Sequence, residues 1–352
     1  MLLNGGLEIP NRKIQKVNVK RALATIALVL VIAGGLAAVL LREDLGRIYN
    51  AIISADLKFI FFAVGLYFFE VLFWADRWRV ALMAAGHTVG FWRVYVISHS
   101  GMFFSNITPI SKSGGEPFRA YFLNKTQKVP YSTGFAAILA EGILTIPIFL
   151  GLLLAGMMLW VYLQSPPLWV SAAILVTIIC LLVAFLPLAY ALIKRKATSG
   201  GIFKIIRWIS KRLGRKTSDE QIMRPIKRFF ERTRVVLRDK KKAVTISTIA
   251  LLLNLVSMMR IWIILFAFGW NASLVAPLLA VTVPLLTGVI PFLPGGLVLV
   301  EASMVGVFMA CGIPLTIAIS ATLIERAISY ILSTIVGAAA VSYLGIKLWK
   351  SK

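Results

Sequence analysis

The stretch NITPISKSGGEPFRAYFL, residues 106–123, decides how this chain is organised. It lies between apolar runs, yet it contains a lysine, a glutamate, an arginine, two prolines and a pair of glycines. Within a membrane, such a broken segment leaves backbone N–H and C=O groups unpaired, which is tolerated only where protein or a wet cavity surrounds them. The segment therefore predicts an interruption that lies inside a helical bundle.

The composition indicates a membrane protein. Hydrophobic residues make up 59 % of the 352 residues, whereas soluble domains contain roughly 45 to 50 %. Both cysteines, Cys180 and Cys311, lie in apolar runs and form neither a disulfide framework nor a metal-binding spacing. The chain has no phosphate-binding loop, nucleophile elbow or zinc-protease motif. We therefore expect no metal, no cofactor and no enzyme activity.

The basic charge is concentrated in one loop. The chain contains 38 lysines and arginines against 14 acids, a net charge of +24, and residues 194–242 alone hold 18 basic residues and four acids. A cluster of this kind is typical of a cytoplasmic loop that faces anionic lipid headgroups. No nucleic-acid-binding motif accompanies it, so we expect no nucleic-acid partner. Residues 200–214 have the pattern of an amphipathic surface helix, and a second helix is predicted to begin near Pro225.

The hydropathy pattern predicts the spans. Two segments, 92–124 and 275–313, are too short for two full spans each and are broken by proline and glycine. If each enters and leaves the membrane on one side, every basic segment and both termini lie in the cytoplasm. The predicted fold is thus an all-α polytopic protein, with residues 1–352 forming one transmembrane domain of two re-entrant hairpins and about six full helices. The predicted full spans are about 22–41, 57–75 (followed by a cytoplasmic turn that begins at Asp76), 131–160, 168–193, 243–267 and 315–346.

The second broken segment repeats the first. PFLPGGLVLVEASMVGVFMACGIP, residues 291–314, also runs from a proline through a glycine pair to a glutamate, and the predicted topology has it entering from the opposite face. Matching re-entrant segments in two halves of opposite orientation are typical of inverted-repeat transporters, which bind their substrate near the midplane. The glycine pairs let the backbone approach a ligand closely, or they simply permit tight turns and close helix packing. These glycines are Gly114, Gly115, Gly295 and Gly296.

Ionisable side chains in or beside the apolar segments are the candidate binding residues. Six acids occur there, Glu70, Asp76, Glu116, Glu141, Glu301 and Glu325. Each charge costs several kcal/mol unless it is paired or hydrated.

Three arginines are available as partners. Arg119 lies one helical turn after Glu116 and can pair with it. Arg326 adjoins Glu325 and so points to a different helix face, where it can meet an acid of another helix or a ligand phosphate. Arg260 is the remaining arginine within a span. Structural ion pairs and a binding site are both open interpretations. The candidate substrate-binding residues are Glu116, Arg119, Glu141, Arg260, Glu301, Glu325 and Arg326.

Three blocks carry a family resemblance. Residues 101–123, residues 291–314 and ATLIERAISYIL, residues 321–332, resemble the lysylphosphatidylglycerol synthase transmembrane-region family, and the similarity extends over the chain from about residue 20. That family is the flippase-like domain of the bacterial multiple peptide resistance factor. The resemblance implies translocation of a phospholipid, amino-acylated or polyprenyl-linked, across a prokaryotic plasma membrane. The resistance factors carry a soluble aminoacyl-transferase domain after this region, so lipid synthesis is not implied for this chain.

The expected function is that of a lipid flippase. In this hypothesis the hairpins meet near the midplane and Arg119 and Arg326 bind the lipid phosphate, while Glu116 and Glu301 balance them or bind a cationic headgroup. A small-solute or ion transporter, a membrane-embedded lipid-modifying enzyme and a scaffold are the alternatives. A homo-oligomer and a partner lipid-synthesising enzyme also stay open.

Overall fold

A computed structural model describes residues 45–108, 114–166, 219–288 and 296–350, with isolated positions 172, 176, 179 and 183 between the second and third ranges. Within these residues every regular element is helical. The helices are α1 Leu45–Ser54, α2 Leu57–Ala84, α3 Phe91–Ile107, α4 Glu116–Gln127, α5 Tyr131–Gln164, α6 Asp219–Arg238, α7 Lys240–Ala267, α8 Val275–Gly288, α9 Leu299–Ala310, α10 Leu315–Arg326 and α11 Ser333–Lys350, with a π-helical segment, Ala327–Leu332, joining the last two.

Four of the predicted spans coincide with helices long and apolar enough to cross a bilayer. They are Leu57–Ala84, Tyr131–Gln164, Lys240–Ala267 and Leu315–Ile346. The 28 residues of α2 and of α7 correspond to about 42 Å of helix, more than the roughly 30 Å of a bilayer's hydrocarbon core. The predicted span 22–41, the amphipathic helix within 200–214 and nearly all of the span 168–193 lie outside the described residues.

One span is longer than the sequence indicated. A cytoplasmic turn was expected from Asp76 onward, but α2 continues to Ala84. Its charges are paired, since Asp76 accepts a hydrogen bond from Arg79 at 2.7 Å and Arg77 donates to Glu141 of α5 at 3.3 Å. The helix end expected near residue 75 was wrong because hydropathy treats these side chains as free charges; the cytoplasmic location of this segment stays a prediction.

The helix ends follow from local sequence. Asp56 caps α2 by accepting a hydrogen bond from the Lys58 N–H at 2.8 Å, and Asp239 caps α7 by accepting from the Lys242 N–H at 3.1 Å. The latter bond holds the pKa of the Asp239 carboxyl below its usual value. Acids also stand at the start of α6, which suits the helix dipole, and α6 begins at Asp219 rather than near Pro225 as predicted.

The first broken segment is an antiparallel helix pair. Arg93, near the start of α3, donates to Gln127 at the end of α4 at 2.8 Å, and the Phe104 and Phe118 rings stack 3.6 Å apart. The Gly115 N–H donates to the Ser105 hydroxyl at 3.0 Å. The two backbones approach so closely here that a side chain at position 115 would collide with α3. The close-packing interpretation of this glycine is therefore confirmed.

The second broken segment also contains two helices that pack against each other. Helices α8 and α9 pack against each other, and the chain turns into α9 through two residues with positive φ, Gly296 at 72° and Val298 at 72°. Only the former suits this conformation without strain. Gly295 lies outside the described residues. As predicted, Glu116 and Glu301 each stand in the first turn of a helix, α4 and α9.

Candidate functional site

A cavity of about 760 Å³ lies between the two broken segments. Part of the lining is apolar and comes from α5, α7 and α8, with Ile146, Phe149, Leu253, Val281 and Leu285. Several of these side chains are only partly buried. The lining also contains polar side chains: Glu70, Arg77, Ser105, Asn106, Glu116, Glu325 and Arg326 from α2, α3, α4 and α10, and Arg260 from α7.

The predicted site residues form two layers. Glu116, Arg260, Glu325 and Arg326 line the cavity. The other three lie directly behind lining residues: Arg119 contacts Glu116, Glu141 contacts Arg77, and Glu301 contacts Arg326. The structure thus brings all seven predicted residues together around one space.

The first ion-pair network centres on Glu141. This buried carboxylate accepts from Arg77 at 3.3 Å and from Arg119 at 3.4 Å. Arg119 also pairs with Glu116 at 2.7 Å, and its guanidinium lies 4.2 Å from the centres of both the Trp74 and the Trp78 rings. With only 1 % of its side chain exposed, Arg119 is held from every side. Its pairing with Glu116 was predicted; its enclosure by two indoles was not.

The second network centres on Arg260. This side chain donates through Nε to Glu70 at 2.7 Å, through Nη2 to the other oxygen of Glu70 at 3.4 Å, and through Nη1 to Glu325 at 3.1 Å. Arg260 is 5 % exposed, and its partners are 14 % and 10 % exposed. Two buried carboxylates therefore share one guanidinium at the cavity wall.

The third pair links the second helix pair to α10. Arg326 donates through Nε to Glu301 of α9 at 2.6 Å, and its guanidinium lies 4.9 Å from the centre of the Tyr330 ring. The prediction that Arg326 meets an acid of another helix is confirmed. Tyr330 also contacts the first broken segment. Its hydroxyl donates to the backbone carbonyl of Asn106 at the end of α3 at 3.1 Å. The two broken segments are thus joined through the π-helical turn that follows Arg326.

The two halves of the chain repeat one ion pair. Arg77 lies 20 residues after Leu57, the first residue of α2, and Arg260 lies 20 residues after Lys240, the first residue of α7. Their partners Glu141 and Glu325 each lie 10 residues after the first residue of α5 or α10, and each of those helices follows a proline. The same arginine–glutamate contact therefore forms in each half.

The repeated helices run in opposite directions. Phe59 of α2 packs against Phe266 of α7, Glu70 pairs with Arg260, and Lys242 donates to the carbonyl of Met83 at 3.4 Å. From the first contact to the last, the residue number increases along α2 and decreases along α7. The equivalent first helices of the two halves are antiparallel, which is the relation that an inverted repeat requires.

Sequence reasoning missed several lining residues. Arg77 was assigned to a cytoplasmic turn, and Tyr67, Trp74, Met102, Ser105 and Asn106 carried no charge to single them out. The matching position of Arg77 with Arg260 emerges once the structure gives α2 and α7 equal lengths. Among the described residues, no cluster of three or more histidine, cysteine or carboxylate side chains is arranged to bind a metal ion.

Comparison with known proteins supports the resemblance. A family model described as the lysylphosphatidylglycerol synthase TM region matches residues 24–337. A UPF0104 membrane protein of Methanothermobacter thermautotrophicus is 31 % identical over 328 residues, which cover 90 % of this chain and 95 % of that protein. A UPF0104 membrane protein of Methanocaldococcus jannaschii is 25 % identical over 322 residues, covering 90 % and 93 %. The chain belongs to the family of the lysylphosphatidylglycerol synthase transmembrane region.

Proposed function

We propose that this protein is a lipid translocase, a flippase that moves the headgroup of a phospholipid or polyprenyl-linked lipid between leaflets. The observation that carries the proposal is a cavity whose lining combines apolar and charged side chains. Its volume of about 760 Å³ falls within the roughly 300 to 1,000 Å³ of small-molecule sites. In this mechanism the cavity holds the headgroup, and the acyl chains pass between the partly buried apolar side chains of α5, α7 and α8 and stay in the bilayer.

The topology of the proposal is an inverted repeat. Helix α2, the α3–α4 pair and α5 form one half; α7, the α8–α9 pair and α10–α11 form the other. The two helix pairs act as re-entrant hairpins that enter from opposite faces, in a protein of about six full spans. The antiparallel packing of α2 and α7 supports this arrangement. Both termini and the basic loop 194–242 face the cytoplasm of a prokaryotic cell, where the loop meets anionic headgroups.

The arginines at the wall are the phosphate-binding groups of this mechanism. Arg326 and Arg260 line the cavity, and guanidinium groups bind phosphate oxygens in paired hydrogen bonds. Arg119 takes a supporting role here rather than the direct contact expected from sequence, because Glu116, Glu141, Trp74 and Trp78 enclose it.

Lipid translocation in proteoliposomes tests the proposal. Fluorescent anionic, zwitterionic and lysyl-modified phospholipids are reconstituted with the protein, and the rate at which each label becomes accessible in the other leaflet is measured against empty liposomes. We expect the wild type to accelerate at least one of the three, and Arg326→Ala to lose about tenfold or more in rate, the effect of roughly 1.4 kcal/mol on the barrier.

The matched control is Arg79→Ala. Arg79 is paired with Asp76 and about one third exposed, and it does not line the cavity. We expect this variant to transport at the wild-type rate. If no lipid moves faster than in empty liposomes while the folded protein takes up a small solute, the transporter alternative replaces this proposal; turnover of the lipid into a new compound would favour the enzyme.

A further inference from the structure

We propose that Glu70, sharing Arg260 with Glu325, is a proton-binding site, and that one proton enters with each lipid phosphate that binds in the cavity. The inference rests on the proposed function and adds a coupling ion to it. It follows from the charge balance of the site and from Glu70, which has no counterpart in the other half of the repeat.

Among the residues that the structure describes, the ion-pair networks contain one more carboxylate than guanidinium. Their members are the glutamates Glu70, Glu116, Glu141, Glu301 and Glu325 and the arginines Arg77, Arg119, Arg260 and Arg326. With every one of these described groups ionised, their summed charge is −1. Such a surplus is costly in a low-dielectric interior, where charges interact far more strongly than in water.

The repeat identifies Glu70 as the surplus acid. The contact of Arg77 with Glu141 has its counterpart in the contact of Arg260 with Glu325, and each hairpin glutamate has an arginine partner. Glu70 lies 13 residues after the first residue of α2, and the residue 13 after the first residue of α7 is Leu253. The carboxylate of Glu70 is therefore an addition in one half only. Arg260, which already has its repeat partner, must serve it as well.

A bound phosphate increases the surplus of negative charge. It brings a further negative charge to a wall where the N–H groups of Arg260 are engaged with two carboxylates. A proton taken from water by the Glu70 carboxylate removes one negative charge. It also releases the Nε and Nη2 N–H groups of Arg260, which then donate to phosphate oxygens. When the headgroup leaves, the proton returns to water and the ion pair with Glu70 reforms, so no charge is created or lost.

Among the described residues, no cation of α2 forms an ion pair with Glu70. The polar and titratable groups around the pair are Tyr67 on α2, Tyr95 and His99 on α3, Ser257 and Arg260 on α7, and Glu325 on α10. Arg77, a cation further along α2, pairs with Glu141 of α5. Among the described groups in contact with Glu70, Arg260 is thus the one positive charge, and its sharing with Glu325 sets the affinity for the proton.

Proton uptake on binding is measured by calorimetry. The full chain in detergent is titrated with short-chain phosphatidylglycerol at neutral pH in two buffers that differ in ionisation enthalpy. The difference in observed heat gives the number of protons exchanged, which we expect to be roughly one taken up per headgroup. Because binding is linked to proton uptake, the Kd of the wild type should rise with pH by up to about tenfold per pH unit.

Two variants sharpen the test. In Glu70→Gln the surplus charge is absent, so binding should proceed with no proton uptake and with a Kd that no longer depends on pH. Asp76→Asn, which removes an acid of the same helix outside the cavity, should keep the wild-type proton uptake. The same uptake in Glu70→Gln as in the wild type would overturn the inference.

The outcomes separate this inference from the proposed function. Binding and translocation of lipid with no proton exchange would overturn the inference and leave the translocase intact. If headgroup binding and translocation are both absent, the proposed function fails and this inference fails with it.

Discussion

Replacing Gly115 with alanine is expected to prevent the α3–α4 pair from closing. An alanine Cβ at this position would lie 2.7 Å from the carbonyl carbon of Gly101 and 2.6 Å from the Ser105 hydroxyl oxygen. The first of these atoms is backbone and cannot rotate away. The φ of Gly115 is −83°, which alanine adopts freely, so lack of space alone causes the effect. The loss should exceed the roughly 1 to 3 kcal/mol of an ordinary overpacked core.

Thermal unfolding of the purified protein in detergent measures this loss. Gly142→Ala on α5 is the matched control, because its Cβ would meet no atom within 4 Å. That variant should unfold at or slightly above the wild-type temperature, since alanine favours the helix by about 0.5 to 1 kcal/mol over glycine. A Gly115→Ala protein that is as stable as Gly142→Ala would show that the two helices do not pack as described.

The second large effect is expected from Arg260→Leu. This change leaves Glu70 and Glu325 buried without the guanidinium that pairs both of them. Breaking a buried ion pair by removing one partner costs about 3 to 5 kcal/mol, because an uncompensated charge stays behind. We therefore expect a large drop in the unfolding temperature and in the yield of folded protein.

A combined variant identifies the cause. Arg260→Leu together with Glu70→Gln and Glu325→Gln removes the uncompensated charges and should recover much of the lost stability. Arg79→Leu breaks a pair that is about one third exposed instead and should cost no more than about 1 kcal/mol. If the triple variant is no more stable than Arg260→Leu alone, packing rather than charge explains the loss.

Much of the architecture could be predicted because its cause is local. Apolar length predicts the spans 57–75, 131–160, 243–267 and 315–346, and each coincides with a helix long and apolar enough to cross a bilayer. Proline and paired glycines indicate the breaks before Glu116 and Glu301, since they favour turns over continued helix. The pairing of Arg119 with Glu116 follows from their spacing of one helical turn.

Side-chain contacts between helices that are distant in sequence could not be predicted, because no local sequence pattern indicates them. Arg77 and Glu141 lie on different helices, 64 residues apart, so the arginine looked like a cytoplasmic charge and α2 was predicted to end too early. For the same reason, the sequence did not predict that Arg260 pairs with two glutamates or that two indole rings lie against Arg119. The one sequence signal that reaches across the chain is the repeat, which places equivalent arginines at equal distances from the starts of two helices.

Blocking the cavity tests the central claim most directly. Leu253 and Leu252 are neighbours on α7, but only Leu253 lines the cavity, while Leu252 is 41 % exposed on the outer face. Tryptophan at position 253 would fill space that the headgroup needs; tryptophan at position 252 would extend into lipid. The measurement is the rate of phospholipid translocation in proteoliposomes that contain each folded variant. We predict that Leu253→Trp lowers the rate about tenfold and Leu252→Trp leaves it unchanged, whereas equal rates in the two variants would contradict transport through this cavity.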